Sequence, residues 1–114
     1  MLIKPNFGCS TKNIYAQVRN YSKPQFFKIK SKNINFNTLS KMKNDLEVIS
    51  FKLYPRLRKI RQFFLNIDKN SYVRMTGSGS TIVGYFMSKK AALNAKKLLK
   101  KKYKNYWCNL SKTI

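Results

Sequence analysis

The chain has no histidine and only three carboxylates, Asp45, Glu47 and Asp68, against 25 lysines and arginines. General acid–base chemistry would therefore fall to one of those three groups. Each has a local use instead. Asn44 as N-cap with Glu47 three residues on reads as a capping box, and Asp45 suits the positive end of the same helix. Asp68 lies in Asp68-Lys69-Asn70, a turn composition. No catalytic residue is assigned to the chain. Cysteine is scarce as well. Cys9 and Cys108 stand near opposite ends, with no Cys-x-x-Cys spacing and no histidine to complete a zinc site, so no metal site is expected. Both are read as reduced thiols, with a disulfide between the first and last strands left open. Long apolar runs are missing too: Met1-Leu2-Ile3 is broken by Lys4 and Pro5. Neither a leader nor a membrane span is expected, and the expected location is cytoplasmic.

What the chain has in excess is positive charge, a formal +22 over 114 residues. So basic a chain invites a nucleic-acid reading. Three features weigh against it. Lysine far outnumbers arginine, which occurs only at 19, 56, 58, 61 and 74, alongside abundant asparagine, isoleucine and tyrosine, a bias typical of a low-GC coding sequence. Between Lys89 and Lys102 the apolar Ala91, Ala92, Ala95, Leu98 and Leu99 form one stripe and the lysines take the other face. No RNP aromatic signature or KH loop is present. RNA binding of a small ribosomal type stays open as an alternative. The 43% hydrophobic and 14% aromatic content excludes a disordered tail. The length fits one domain over residues 1–114 with one modest core.

Periodicity outlines the elements. Leu2 to Lys4 reads as a short strand. Ser10 caps a helix from Thr11 to about Arg19, with Ile14, Tyr15 and Val18 facing inward. Residues 21–40 show no period and contain Pro24, so they read as a loop-rich connection pinned by Phe26, Phe27 and Phe36. A helix from Asp45 to about Leu53 buries Leu46, Ile49 and Leu53. Pro55 then opens a second helix carrying Leu57, Ile60 and Phe64. Strands follow at Ser71–Met75 and Ile82–Phe86, then a helix capped by Ser88, then a closing strand from Asn105 to Leu110. This order predicts an α+β, ferredoxin-like domain: a four-stranded antiparallel sheet with helices packed on one face.

Between the two central strands stands Gly77-Ser78-Gly79-Ser80. Glycines one residue apart permit φ > 0 and close approach of backbone to a ligand, and the N–H groups of such a turn can cradle an anion. The hydroxyls of Thr76, Ser78, Ser80 and Thr81 surround it. It is neither a Rossmann fingerprint, since Ile82 replaces the third glycine and a strand follows, nor a Walker loop, since no Gly-Lys-Ser/Thr follows. Taken alone, the tetrapeptide reads first as a Gly/Ser hairpin turn without chemical role.

The surrounding residues change that weighting. Arg74-Met75-Thr76-Gly77-Ser78-Gly79-Ser80-Thr81, followed by Ile82-Val83-Gly84-Tyr85-Phe86, resembles the third conserved motif of the GHMP small-molecule kinases. Within that superfamily it is most similar to the kinases of the non-mevalonate isoprenoid (terpenoid) pathway. Three further stretches agree in order: Ile3-Lys4-Pro5-Asn6-Phe7-Gly8-Cys9-Ser10-Thr11, Asn44-Asp45-Leu46-Glu47 with Tyr54-Pro55, and Tyr106-Trp107-Cys108. The resemblance spans nearly all of the chain but only the C-terminal half of such an enzyme.

The resemblance implies a ferredoxin-like C-terminal domain of an ATP-dependent kinase that phosphorylates a hydroxyl of diphosphocytidyl-methylerythritol. The family's catalytic lysine and aspartate and its Pro-x-x-x-Gly-Leu-Gly ATP loop do not occur here, so ATP and Mg2+ are implied for the complete enzyme and no cofactor for this chain alone. The implied partner is an N-terminal kinase domain, from the same gene or a split one. Gly77, Ser78, Gly79 and Ser80 would shape the pocket around the transferred phosphoryl group, and Thr11 and Tyr15 would line a small apolar pocket beside the substrate. Lys12 stands where a proline is frequent. For Tyr15 a core position is the competing reading. Arg74 is a candidate phosphate contact or a solvated strand residue, while Trp107 and Cys108 read as structural. A stand-alone ligand-binding module of the same fold is the remaining alternative.

Overall fold

Strand alternation gives the sheet its two faces. Val73 and Met75 of one strand, Ile82 of the next and Ile3 of the first are buried on the same side, 0–3% exposed, and helices cover them. The computed structural model describes residues 1–24 and 34–113. Its elements are β1 (Leu2–Lys4), α1 (Thr11–Ala16), α2 (Phe36–Lys41), α3 (Leu46–Leu53), α4 (Pro55–Ile67), β2 (Tyr72–Met75), β3 (Ile82–Tyr85), α5 (Lys89–Lys102) and β4 (Trp107–Asn109). The strands pair antiparallel in the order β2-β3-β1-β4, with Met75 opposite Ile82, Ile3 opposite Ile82, and Ile3 opposite Cys108. This is the four-stranded antiparallel sheet with helices that the order of elements predicted.

The helix α4 starts at Pro55, whose fixed φ suits the first helical position. Its Leu57, Ile60 and Phe64 are 0–1% exposed, as their spacing requires, and each such side chain contributes about 1.5–3 kcal/mol on burial. The helix lies close because β3 carries Gly84: a Cβ there would stand 2.6 Å from the Phe64 ring. The Ser88 hydroxyl accepts the Ala91 N–H at 3.1 Å and starts α5, which buries Ala95 and Leu99 and leaves most of its lysines in solvent. Lys102 lays its ammonium over the Phe63 ring, 4.2 Å from the centroid.

Several expectations need correction. The first helix stops at Ala16 rather than Arg19, because its last turn tightens into i→i−3 bonds from Gln17 to Ile14 and from Val18 to Tyr15. So short a helix buries one position, Ile14, and Tyr15 beside it is 51% exposed. In α3 the fully buried inner position belongs to Ser50, while Ile49 is half-buried and Leu53 is 38% exposed. Part of the expected loop is helical. Asn35 caps α2 by accepting the Thr38 N–H at 2.9 Å, and Phe36 packs edge-on against Tyr72, ring centroids 4.8 Å apart. Tyr72 alternates with the core residues of β2, so α2 lies against the sheet face opposite the other helices. Phe36 does pin the segment; Phe26 and Phe27 lie outside the described residues. Cys9 and Cys108 are free, half-buried thiols.

Candidate functional site

The hairpin between β2 and β3 closes on itself before it meets anything else. The Thr76 N–H donates to Thr81 O and the Gly79 N–H to Thr76 O, both at 2.9 Å. Gly77 has φ +50° and Gly79 φ +94°, so both glycines occupy the backbone region closed to most side chains. Among the described residues the amides of Gly77, Ser78, Ser80 and Thr81 meet no acceptor, and the first two stand at the loop tip. The ring of four hydroxyls expected there is not formed. Thr76 Oγ1 turns to Thr81 O at 3.4 Å, and Ser80 is buried with 6% exposure. The Ser78 hydroxyl faces α1 instead.

That hydroxyl meets one of the other assigned residues. Thr11 Oγ1 lies 2.8 Å from Ser78 Oγ across 67 residues of sequence. Tyr15 follows Thr11 by four residues, hence on the same side of α1, and its exposure removes the reading of a core aromatic. The start of α1 is itself held: the Ser10 hydroxyl accepts the Asn13 N–H at 3.3 Å, and the Ser10 N–H donates to Tyr54 Oη at 2.8 Å. Tyr54 stacks on Phe7 with centroids 6.4 Å apart, and Arg56 lies over the other ring at 5.9 Å from the Phe7 centroid. Beyond Phe7 an open cleft of about 490 Å³ runs between Lys4–Gly8 and Asn105–Trp107. Trp107, read from sequence as structural, is 55% exposed at its edge.

The loop is anchored from α3 by residues that sequence reasoning assigned elsewhere. Asn44 Nδ2 donates to Met75 O at 2.9 Å and to Gly77 O at 2.8 Å. Glu47 Oε1 accepts the Met75 N–H at 2.6 Å. Ser50, fully buried one turn further on, gives a long hydrogen bond to Ser78 O at 3.4 Å. Asn44 does serve α3 by accepting the Leu46 N–H at 3.0 Å, yet Glu47 does not turn back to complete a capping box. The spacing Asn-x-x-Glu is the same for both roles, so sequence could not separate them. Under the loop, Gly79 sits against Met75, Cys9 and Leu57. Burial pushes the Cys9 thiol pKa up, so this sulfur is not an activated nucleophile.

Arg74 is not free to meet a phosphate. Its guanidinium donates to Ser40 O at 2.7 Å, Met42 O at 2.8 Å and Val73 O at 2.8 Å, closing the C-terminal end of α2. The carboxylates are similarly engaged. Ser22 donates its amide to Asp45 Oδ2 at 2.7 Å and its hydroxyl to Oδ1, bonds that hold the Asp45 pKa below its ordinary value. Asp68 Oδ1 accepts the Asn70 N–H at 2.9 Å in the expected turn. Among the described residues no three histidine, cysteine or acidic side chains gather as a metal would require.

An antiparallel β2-β3-β1-β4 sheet that presents a Gly-Ser-Gly-Ser turn beside a short helix defines a class. Residues 27–105 match the family described as GHMP kinases C terminal, and the chain belongs to that family. The most informative relatives carry one name. The chain is 46% identical over its whole length to the 4-diphosphocytidyl-2-C-methyl-D-erythritol kinase of Pelagibacter ubique, of which it covers 41%. It is 32% identical, again over its whole length, to the enzyme of the same name from Clostridium tetani, covering 42%. It is also 34% identical over 74% of its length to the chloroplastic one of Oryza sativa, covering 22% of that protein. The chain thus spans about two-fifths of the bacterial relatives. A crystal structure of 4-(cytidine 5'-diphospho)-2C-methyl-D-erythritol kinase has the same fold, with a TM-score of 0.68 over 93% of this chain and 40% of that one, at 22% identity.

Proposed function

We propose that this chain is the C-terminal, substrate-side part of an ATP-dependent kinase that phosphorylates an alcohol group of 4-diphosphocytidyl-2-C-methyl-D-erythritol in isoprenoid biosynthesis. The observation that carries the proposal is the 46% identity, maintained from end to end, with a Pelagibacter protein of that name. The loop geometry supports a role in the chemistry. Phosphoryl transfer depends on positioning and on electrostatic stabilisation of spread negative charge, work that backbone amides perform well. The Gly77 and Ser78 amides and the Ser78 hydroxyl are the groups assigned to the phosphoryl side, and Thr11, assigned to the substrate pocket, meets them through its hydroxyl. Tyr15 is assigned to the pocket wall beside the methylerythritol end.

The rest of the reaction belongs to an N-terminal domain supplied by the same polypeptide or by a partner. Each carboxylate of this chain already accepts a hydrogen bond from a backbone amide, a poor starting point for a Mg2+ site. The residues here do not fit the metal, and ATP and Mg2+ are assigned to the other part. No helix among the described residues is long and apolar enough to cross a membrane. The matches give no support to the nucleic-acid alternative.

The test is a chimera in which this chain replaces the matching C-terminal segment of the Pelagibacter kinase. ATP-dependent phosphorylation of the diphosphocytidyl substrate is expected in the chimera and in neither part alone. A folded chimera that binds ATP but never phosphorylates this substrate would overturn the proposal.

A further inference from the structure

Met75 ends β2, one of the two edge strands of the sheet, and both of its backbone polar groups point away from β3 toward that free edge. An edge strand normally leaves such groups to water or to another chain. Here Glu47 takes the N–H at 2.6 Å and Asn44 covers the C=O at 2.9 Å, so two side chains one helical turn apart stand in for the next strand. The second Asn44 amide proton reaches Gly77 O at 2.8 Å. One rigid NH2 group therefore spans the last carbonyl of the strand and the first glycine of the loop, while its oxygen accepts the Leu46 N–H and ties the assembly to α3.

We infer that Asn44 and Glu47 are positioning residues that set where the Gly77–Ser80 loop stands. The catalytic consequence rests on the kinase reading; the effect on the loop rests on geometry alone. An amide donor bridging two carbonyls has no substitute in an isosteric carboxylate. Asn44→Asp puts negative charge against both oxygens and drives the loop off its anchor. Glu47→Gln retains an acceptor oxygen for the Met75 N–H, and Glu47→Ala removes it.

Cys9 reads out the loop, because Gly79 packs directly against its sulfur. Labelling of Cys9 by a small disulfide reagent is followed in a Cys108→Ser background, and labelling of Cys108 in a Cys9→Ser background reports the sheet. Asn44→Asp is expected to label Cys9 about tenfold faster with Cys108 unchanged. Glu47→Gln should stay within about twofold of the parent and Glu47→Ala should approach Asn44→Asp. In the chimeric kinase, Asn44→Asp should lower kcat by about tenfold or more with KM for ATP nearly constant. Unchanged Cys9 labelling overturns the inference, and so does equal acceleration of Cys9 and Cys108, which marks a merely structural role. Loosened Cys9 with unchanged kcat overturns the catalytic consequence. An inactive parent chimera counts against the kinase reading and leaves the thiol rates to judge the loop.

Discussion

Replacing Gly79 with alanine adds one methyl group to the loop, and the structure sets its cost. At φ +94° an L side chain is strained by about 1–3 kcal/mol. The new Cβ would also stand 3.0 Å from Met75 Sδ and 3.1 Å from Cys9 Sγ. The Met75 side chain has three rotatable bonds and can yield by a few tenths of an ångström, while Cys9 turns about one bond only, so relief of the two contacts adds about 1 kcal/mol. Alanine lowers the entropy of the unfolded chain and offsets about 0.4–1 kcal/mol. The net loss is about 2 kcal/mol, and at about 4 °C per kcal/mol for a chain of this size Tm falls by about 8 °C. Gly77 is the internal control. Its φ of +50° lies in the left-handed helical region, and nothing lies within 4 Å of an added Cβ. Gly77→Ala should cost about 1 kcal/mol and Gly77→Asn less, since asparagine tolerates that region. Urea titration followed by circular dichroism measures all three, with m-values expected to stay constant. If Gly77→Ala proves as costly as Gly79→Ala, the conformational argument for the loop is wrong.

Gly84→Ala should destabilise by about 1–3 kcal/mol through its clash with Phe64; Phe64→Leu in the same molecule should recover part of that loss, and strict additivity in a double-mutant cycle would refute the contact. Arg74→Lys keeps the charge but loses the fork that holds Ser40 and Met42, so a loss of about 1–2 kcal/mol is expected with faster amide exchange confined to α2; exchange that spreads through the sheet would disprove the local role. The hydrogen bonds from Ser22 depress the Asp45 pKa in the folded state, so the unfolded chain takes up the proton first as pH falls. Stability from this contact is complete above the ordinary carboxylate pKa and lost as pH drops through the lowered one. Asp45→Asn should therefore flatten the Tm profile below about pH 5, and an unchanged acid limb would remove the contact from the account.

Local patterns were legible because their causes lie within a few residues. The apolar spacing of Leu57, Ile60 and Phe64 puts them on one face of α4, while Ser10 and Ser88 cap α1 and α5 and Asp68 makes its turn through contacts of three residues or fewer. The family resemblance was legible for a similar reason, since Arg74–Thr81 forms a contiguous motif. What sequence could not determine is where the polar side chains aim. Asn44 and Glu47 fit a capping box by spacing, but the unpaired edge of β2, brought alongside by packing of α3 on α4, offers Glu47 a better partner. Arg74 reads as a phosphate ligand or a solvated residue until the carbonyls at the end of α2 arrive beside it. The helix α2 itself escapes a propensity argument, because six residues are too few to be stable alone and form here by packing Phe36 on Tyr72. Thr11 and Ser78, 67 residues apart, become neighbours only when the sheet closes. Periodicity and short motifs act through local geometry and survive in the sequence, whereas the partner of a polar group is selected among long-range alternatives that exist only once the chain has folded.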